Sequence, residues 1–276
     1  MPFEFTKMHG LGNDFIVINA LEKPFNLPDR QIAQLAHRRT GVGFDQLLVV
    51  EPPDLDEAEF TYRIFNADGG EVENCGNGAR CFARYVTDKG LTGNKDILVS
   101  TSGGLMELSV QSDGRVLVRM DVPVFEPDEV PFVAQEAAST YDIEVDGQSL
   151  EFGVVAVGNP HAVTQVADVQ RAEVERLGRL IETHERFPNR VNAGFMQVES
   201  RTEIALRVFE RGVGETMACG TGACAAVAVG VAQGLLDRQV SVRLAGGELQ
   251  VNWPGNEARI EMIGPCESVF DGRLEQ

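Results

Sequence analysis

The stretch that decides the fold occurs twice, as RIFNADGGEVENCGNGA at residues 63–79 and as RVFERGVGETMACGTGA at residues 207–223. The copies are offset by 144 residues without a gap, and 8 of their 17 positions are identical. Each copy combines a strand pattern, a loop, the motif Cys-Gly-x-Gly-Ala and a helix pattern. The repeat predicts two half-molecules of one plan, with Cys75 and Cys219 each at a helix N-terminus.

The repetition extends beyond these two stretches. Three glycine-containing turns recur in order: Gly12-Asn13 as Gly158-Asn159, Gly43-Phe44-x-Gln46 as Gly194-Phe195-x-Gln197, and Gly103-Gly104 as Gly246-Gly247. The second motif helix is apolar on all sides and needs to be enclosed. We therefore predict an α+β (mixed α/β) fold of two pseudo-symmetric domains, each a curved, mostly antiparallel sheet around a central helix.

A proline-containing acidic stretch after residue 121 indicates the domain boundary. We predict an N-terminal domain of residues 1–119 plus 265–276, which carries Cys75, and a C-terminal domain of residues 120–264, which carries Cys219. In the second domain, apolar residues at helical spacing predict a helix over Asp168–Arg186 that Pro188 terminates.

Composition limits the classes of partner. The 276-residue chain has a formal net charge of -18 and a pI near 4.6, so a nucleic-acid surface is not expected, because phosphate binding needs clustered Lys and Arg. No apolar run approaches the ~20 residues that cross a bilayer, and the N-terminus lacks a signal-peptide pattern. Five cysteines, an odd number, favour a reducing cytoplasm over a disulfide scaffold.

The cysteines at the two helix starts differ in their expected chemistry from the other three. We expect Cys81, Cys224 and Cys266 to be small buried apolar residues. At a helix N-terminus, by contrast, the unpaired N–H groups and the helix dipole stabilise a thiolate and lower the thiol pKa from ~8.5. No Cys or His falls at paired metal-ligand spacing, and no Gly-Lys-Ser/Thr phosphate loop occurs, so neither a metal nor a cofactor is expected.

Two helix starts that share one carboxylate would place one sulfur on each side of its α-carbon. Such a pair could remove a proton from one face and deliver a proton to the other, which inverts the stereocentre. One sulfur must be thiolate and the other thiol. Two alternatives stay open: a cofactor-free racemase of the proline or hydroxyproline type, and a non-enzymatic dithiol redox switch. The same chemistry predicts reversible inactivation through a Cys75–Cys219 disulfide.

The motifs resemble those of the diaminopimelate epimerase family, over essentially the full length. The matching stretches are KMHGLGNDF (7–15), GVGFDQLL (41–48), RIFNADG (63–69), ENCGNGARC (73–81), GNPH (158–161), RVNAGF (190–195) and ERGVGETMACGTGACA (210–225). The resemblance implies an isomerase that interconverts LL- and meso-2,6-diaminopimelate without pyridoxal phosphate, in lysine and peptidoglycan precursor biosynthesis. It also implies a cytoplasmic protein, with a homodimer as a family-level expectation.

The resemblance also implies roles for individual residues. Cys75 and Cys219 would be the catalytic acid/base pair, and His161 and Glu210 would modulate their pKa values. The substrate would be bound by residues that include Glu210 and are mainly amides, glycines and one arginine: Asn13, Gln46, Asn66, Gly76, Asn77, Asn159, Asn192, Arg211, Gly220 and Thr221. Amide side chains can both donate to carboxylates and accept from ammonium groups, and arginine binds a carboxylate with two hydrogen bonds.

Overall fold

A computed structural model of the chain describes residues 3–73 and 75–274. It divides into two compact units. Unit 1 takes in the described residues of Met1–Arg119 and Ile263–Gln276, and unit 2 is Met120–Met262. No helix in the described ranges is long and apolar enough to cross a membrane.

Unit 1 consists mainly of strands, with one short and one long helix. Its elements are β1 (Phe3–Gly10), β2 (Asn13–Asn19), α1 (Asp29–Ala36), β3 (Gln46–Glu51), β4 (Phe60–Asn66), β5 (Glu71–Val72), α2 (Gly76–Asp88), β6 (Asp96–Thr101), β7 (Gly104–Val110), β8 (Val116–Arg119) and β18 (Glu267–Leu274). The strands follow the order β18-β1-β2-β3-β4-β6-β7-β8, with β5 added beside β4. Among the described strand pairs named here, β2–β3 and β4–β6 are parallel and the others antiparallel, so the sheet is mostly antiparallel.

Unit 2 repeats this plan. Its elements are β9 (Tyr141–Val145), β10 (Gln148–Ala156), β11 (Pro160–Gln165), α3 (Val174–Glu182), β12 (Asn192–Ser200), β13 (Glu203–Glu210), β14 (Gly214–Glu215), α4 (Gly220–Ala232), β15 (Gln239–Leu244) and β16 (Gly247–Asn252), while β17 (Glu261–Gly264) crosses the boundary between the units. The order is β9-β10-β11-β12-β13-β15-β16, again with two parallel pairs, β11–β12 and β13–β15. The predicted fold class is confirmed.

The long helix of each unit lies inside its own sheet. Helix α2 packs on β1, β2, β3, β7, β8 and β18, and α4 packs on β10, β11, β12, β13 and β16. Each helix therefore contacts strands from both ends of the strand order, which requires the sheet to curve around it. Ala and Val fill the buried positions of α4. After each helix, a glycine with positive φ ends the last turn, at Gly90 (φ 65) and Gly234 (φ 73).

The strand register identifies which residues are equivalent in the two units. Phe15 and His161 are equivalent, because each stands two residues after the recurring Gly-Asn pair. Phe15 pairs with Gln46 across β2 and β3, and His161 pairs with Asn192 across β11 and β12. Gln46 is thus equivalent to Asn192, so the expected equivalence of Gln46 with Gln197 is wrong. The Gly-Phe-x-Gln match is a coincidence of side chains, because Gln197 lies five residues further along β12 and accepts a hydrogen bond from the Val169 amide at 2.9 Å.

The repeated Arg and Glu of the duplicated motif form the same ion pair in both units. Arg63 donates two hydrogen bonds to Glu71, both 2.8 Å long, and Arg207 donates two to Glu215, at 2.6 and 2.7 Å. Each pair joins the strand before the cysteine loop to the short strand within it. The four residues are identical in the two copies of the motif, but nothing local in the sequence indicates that they pair.

The helix expected over Asp168–Arg186 is shorter in the structure. Helix α3 spans only Val174–Glu182. Side chains hold the preceding segment in turns, because Arg207 donates hydrogen bonds to the carbonyls of Val169 and Ala172 at 2.9 and 3.1 Å. These two carbonyls therefore accept hydrogen bonds from a side chain and not from the amides of a helix. The prediction extended the apolar spacing of the core residues into this polar stretch.

Candidate active site

Cys75 is the N-cap residue of α2. Its backbone is extended (φ -149, ψ 105), and its sulfur accepts the amide N–H of Gly78 at 3.3 Å. A side chain on Gly78 would come within 2.4 Å of the Tyr62 hydroxyl oxygen, so glycine is needed for the tight turn. The motif therefore forms a helix start whose cysteine sulfur accepts a backbone N–H, as a thiolate-stabilising position requires.

Asn13 and Asn77 lie next to this sulfur. The Oδ1 atom of Asn13 is 4.0 Å from the Cys75 sulfur and accepts a hydrogen bond from Asn77 Nδ2 at 3.3 Å. Asp45 holds the other end of Asn13, accepting from its Nδ2 at 3.0 Å. These contacts bring together three of the predicted site residues of unit 1.

Gln46 and Asn66 form a second pair of amides. Gln46 Nε2 donates to Asn66 Oδ1 at 2.9 Å, on adjacent strands β3 and β4. The Gln46 Oε1 atom is buried and has no hydrogen-bond partner among the described residues. A buried acceptor without a partner is costly, and a substrate ammonium group is a suitable donor for it.

Cys219 repeats the arrangement at the N-cap of α4. Its sulfur accepts the Gly222 amide at 3.4 Å and lies 3.6 Å from the Thr221 hydroxyl oxygen. A side chain on Gly222 would approach Val208 Cγ2 to 2.9 Å. Unlike Cys75, which is half-buried, Cys219 is only 3% exposed.

Burial reverses the expected direction of the Cys219 pKa. Desolvation raises its pKa well above the usual value, and the neighbouring charge of Glu210 adds to the increase. Hydrogen bonds from Thr221 and the Gly222 amide lower it by less. The expectation of a lowered thiol pKa is therefore wrong for Cys219, because loss of water outweighs the helix-terminal N–H.

Glu210 shares a side-chain hydrogen bond with Cys219. Burial raises the pKa of the Glu210 carboxyl, and hydrogen bonds with Thr216 and Cys219 partly offset that increase. The Thr216 hydroxyl donates to Glu210 Oε1. Sequence reasoning did not identify Thr216, and the only signal was its place three residues before Cys219.

His161 lies buried beside the same helix start. Its Nε2 atom is 2.9 Å from Asn159 Oδ1, 3.1 Å from Thr221 Oγ1 and 3.5 Å from Asn192 Nδ2. Burial, with a smaller effect from the charge of Arg211, lowers the pKa of His161 to about 3, so the ring is neutral at physiological pH. Because Asn159 Oδ1 can only accept, Nε2 carries the ring proton. His161 Nδ1 has no hydrogen-bond partner in the described part of the chain.

Asn192 connects this cluster to the strand ends. It donates to the Pro160 carbonyl at 3.0 Å and accepts the Arg211 amide at 2.9 Å. The Arg211 side chain does not join the cluster, since it is exposed and donates to the Asn189 carbonyl at 3.0 Å. Of the predicted site residues of unit 2, those whose side chains meet are Asn159, His161, Asn192, Glu210, Cys219 and Thr221.

The remaining predictions have mixed outcomes. Gly76 and Gly220 are the first residues of α2 and α4, where backbone N–H groups point out of the helix end and can bind an anion. Cys81 and Cys224 are buried, as predicted, but Cys266 is only partly buried and donates to the Arg80 carbonyl at 3.3 Å. Within the described ranges, no group of three or more His, Cys, Asp or Glu side chains could hold a metal ion.

Known proteins with this fold include epimerases. A crystal structure of a hydroxyproline epimerase from Agrobacterium vitis has a TM-score of 0.70 at 16% identity, covering 99% of this chain and 92% of that one. A phenazine biosynthesis protein of the PhzF family from Bacillus anthracis has a TM-score of 0.71 at 15% identity, with both chains fully covered. At these identities the similarity establishes the fold alone.

Sequence comparison is more specific. The family model described as diaminopimelate epimerase matches residues 5–126 and 153–269. A diaminopimelate epimerase from Thioalkalivibrio sulfidiphilus (strain HL-EbGR7) is 57% identical over 277 residues, covering 100% of both chains. The matched ranges include both cysteine loops and their amide partners, and so the chain belongs to the diaminopimelate epimerase family.

Proposed function

We propose that this protein interconverts LL- and meso-2,6-diaminopimelate, with Cys75 and Cys219 as the two proton-transfer residues. Family membership supports the substrate and does not favour the proline-type or redox alternatives. One observation carries the assignment of the cysteines: both are N-cap residues of 13-residue helices at equivalent places in the two units, and each accepts a backbone N–H.

Each cysteine serves one face of the α-carbon in this proposal. A thiolate removes the α-proton, and the opposite thiol delivers its own proton, so the configuration inverts. When Cys219 acts as the base, its thiol proton passes first to Glu210, with which it shares a hydrogen bond. In the reverse direction the Cys219 thiol is the acid, a form favoured by its raised pKa.

Helix-terminal N–H groups would stabilise the negative charge that develops on the substrate carboxylate. Gly76-Asn77 and Gly220-Thr221 supply these groups, because the first amides of an α-helix have no partner within the helix. Asn13, Gln46, Asn66, Asn159 and Asn192 would bind the ammonium and carboxylate groups, and Arg211 would bind the distal carboxylate. This requires its guanidinium to leave the Asn189 carbonyl.

Turnover in D2O from one pure stereoisomer tests the mechanism. Two bases place solvent deuterium in the product well before it enters recovered substrate, whereas equal early labelling indicates one exchanging base. Cys75→Ala and Cys219→Ala should each abolish epimerisation, and substantial activity in either variant contradicts the paired role. Proline and hydroxyproline serve as control substrates and should not turn over.

We further propose that the protein is located in the cytoplasm and forms a homodimer. All five cysteines are free thiols, which suits a reducing cytoplasm. The family resemblance supports a homodimer. Sedimentation equilibrium checks the assembly, and a monomer mass at micromolar concentration contradicts it.

A further inference from the structure

A second pair of cysteines lies in unit 1, away from the start of α2. Cys81 is on α2 and is fully buried, and Cys266 immediately precedes β18. Their sulfur atoms are within hydrogen-bond reach, with the Cys81 thiol as donor to Cys266. The Cys266 thiol in turn lies 3.3 Å from the Arg80 carbonyl.

Cys266 is the member of the pair that a small oxidant can reach. It is partly exposed and lines a surface cavity of about 450 Å³, together with two arginines and three acidic residues, Arg84, Arg115, Asp88, Asp113 and Glu267. The hydrogen bond from Cys81 lowers the pKa of the Cys266 thiol, and the charges of Arg80 and Arg84 add to this, although burial and the charge of Asp88 oppose it. Accessible sulfur with thiolate character is the form that peroxides oxidise.

We propose that Cys81 and Cys266 form a disulfide when the protein meets hydrogen peroxide. The Cys266 thiolate attacks the peroxide O–O bond, which yields a sulfenic acid and, with one proton, a water molecule. The Cys81 sulfur then attacks the sulfenic sulfur, the S–S bond forms, and the Cys81 proton leaves with the hydroxyl group as a second water. Peroxide is reduced to two waters, and two thiols are oxidised.

The disulfide would connect the last strand of unit 1 to its central helix. Arg80 already connects these two segments without a covalent bond. Its buried guanidinium donates to Asn77 Oδ1 at 2.9 Å and to the Pro265 carbonyl at 3.2 Å. Because Asn77 lies at the start of α2, the new bond would fix the segment before β18 to the helix that begins next to Cys75. We expect the melting temperature to rise on oxidation.

The direct experiment isolates this pair. In a Cys75→Ala/Cys219→Ala/Cys224→Ala variant, only Cys81 and Cys266 remain. After hydrogen peroxide treatment, thiol titration of the denatured variant should fall from two thiols per chain to none, and dithiothreitol should restore both. The matched control adds Cys81→Ala. There, Cys266 should pass to sulfinic and sulfonic acids that dithiothreitol cannot reduce.

Peptide mapping of the wild-type protein tests the proposal even if these variants fold poorly. Tryptic peptides with Cys81 and Cys266 should appear joined, lighter by two hydrogens, while Cys224 stays reduced. Sulfinic acid at Cys266 with a free Cys81 in oxidised wild-type protein overturns the proposal. Both experiments read thiol chemistry and not turnover, so they stand whether or not the two motif cysteines catalyse epimerisation.

Discussion

Equivalent backbone positions in the two units carry different side chains around the two cysteines. Where unit 2 has His161 and Glu210, unit 1 has the neutral residues Phe15 and Asn66. Glu210 shares a hydrogen bond with Cys219, and His161 Nε2 lies 3.1 Å from the hydroxyl oxygen of Thr221, which follows Cys219 by two residues. We infer that Cys219 exchanges its proton through Glu210, whereas the equivalent position in unit 1 carries the neutral amide of Asn66.

Removing the Thr216 hydroxyl should shift the pH dependence of catalysis. Its hydrogen bond lowers the pKa of Glu210 against the larger opposing effect of burial. In Thr216→Val that pKa rises, so the acidic limb of kcat/KM against pH moves to higher pH and the activity below that limb falls. Thr216→Ser retains the hydroxyl and should retain the profile. A valine variant that loses activity equally at all pH values would show a merely structural role.

Replacing His161 with phenylalanine, the residue at the equivalent position in unit 1, should reduce the acid sensitivity of folding. The pKa of His161 is about 3 in the folded protein, below its ordinary value of 6.5. The unfolded chain therefore binds more protons, and stability falls as pH drops from 6.5 towards 3. Because of His161, the free energy of unfolding is about 2 kcal/mol lower at about pH 5 than at about pH 7.5.

Urea unfolding at both pH values measures this effect. His161→Phe also loses the contacts with Asn159 and Thr221, so only the change between the two pH values is compared. The wild type should lose about 2 kcal/mol more than the variant on acidification. Equal losses would mean that His161 is not held neutral.

The sequence predicted the cysteines and most of their partners, but not which partners are equivalent. Cys75 and Cys219 could be identified because the motif repeats side chain for side chain. Gln46 and Asn192 are equivalent in strand register while differing in identity, so only hydrogen bonding between strands reveals the relation. The Cys219 pKa could not be predicted either, because it depends on burial that tertiary packing creates.

At the scale of elements, the turn into α2 depends on the absence of a side chain at Gly78. An added Cβ would lie 2.4 Å from Tyr62 Oη and 3.2 Å from Leu48 Cδ2, and Tyr62 is fully buried. Gly78→Ala should therefore lower the free energy of unfolding by about 1–3 kcal/mol. It should also reduce turnover, because the N-cap cysteine would be displaced.

A second substitution tests whether this clash is the cause. Tyr62→Phe removes the oxygen that the new methyl group meets, and alone it loses only a long contact with the Cys75 carbonyl, at 3.5 Å. The double variant should be less destabilised than the sum of the two single variants, by chemical denaturation. If the destabilisation of the double variant equals the sum of the two single variants, the clash with the Tyr62 oxygen is not the cause, and the cost of Gly78→Ala arises from the backbone.

Strand and helix predictions succeeded where the local pattern and the tertiary structure agree. The strand that the 63–79 motif predicts before its cysteine loop is present as β4, Phe60–Asn66, since apolar alternation there matches one buried face. The helix predicted over Asp168–Arg186 was too long, because side chains distant in sequence, Gln197 and Arg207, bind the backbone of its first residues. Such contacts leave no local signal.

At the scale of the whole chain, the edge of the sheet in unit 1 is formed by the last strand, β18, whereas the equivalent edge in unit 2 is formed by its first strand, β9. β18 pairs antiparallel with β1, as β9 does with β10. In unit 2 the two strands are consecutive and joined by Asp146-Gly147, both with positive φ (53 and 74), the conformation of a type I′ turn. In unit 1 the corresponding strand comes from the end of the sequence. Helical and strand patterns alone do not reveal this exchange, because they carry no pairing information.

A rearranged unit 1 should therefore fold as one cooperative body. Phe3 and Leu274 are directly paired, as are Gln148 and Val145 at the Asp-Gly turn. A protein made of residues 263–274, an Asp-Gly linker and residues 3–119 would reproduce the connection found in unit 2. The fragment 3–119 lacks β18 and exposes the outer edge of β1, whose hydrogen-bonding groups then lose their partners.

Urea unfolding followed by circular dichroism compares the two proteins. The rearranged unit should show a single transition with a higher midpoint than the 3–119 fragment, and a third protein with residues 263–274 in scrambled order should resemble the fragment. The scrambled control separates strand pairing from added chain length, because it keeps composition and linker unchanged. In the structure, residues of β18 pair with seven positions of β1, so we expect β18 to stabilise unit 1. Equal stability of the rearranged and scrambled proteins would contradict this expectation.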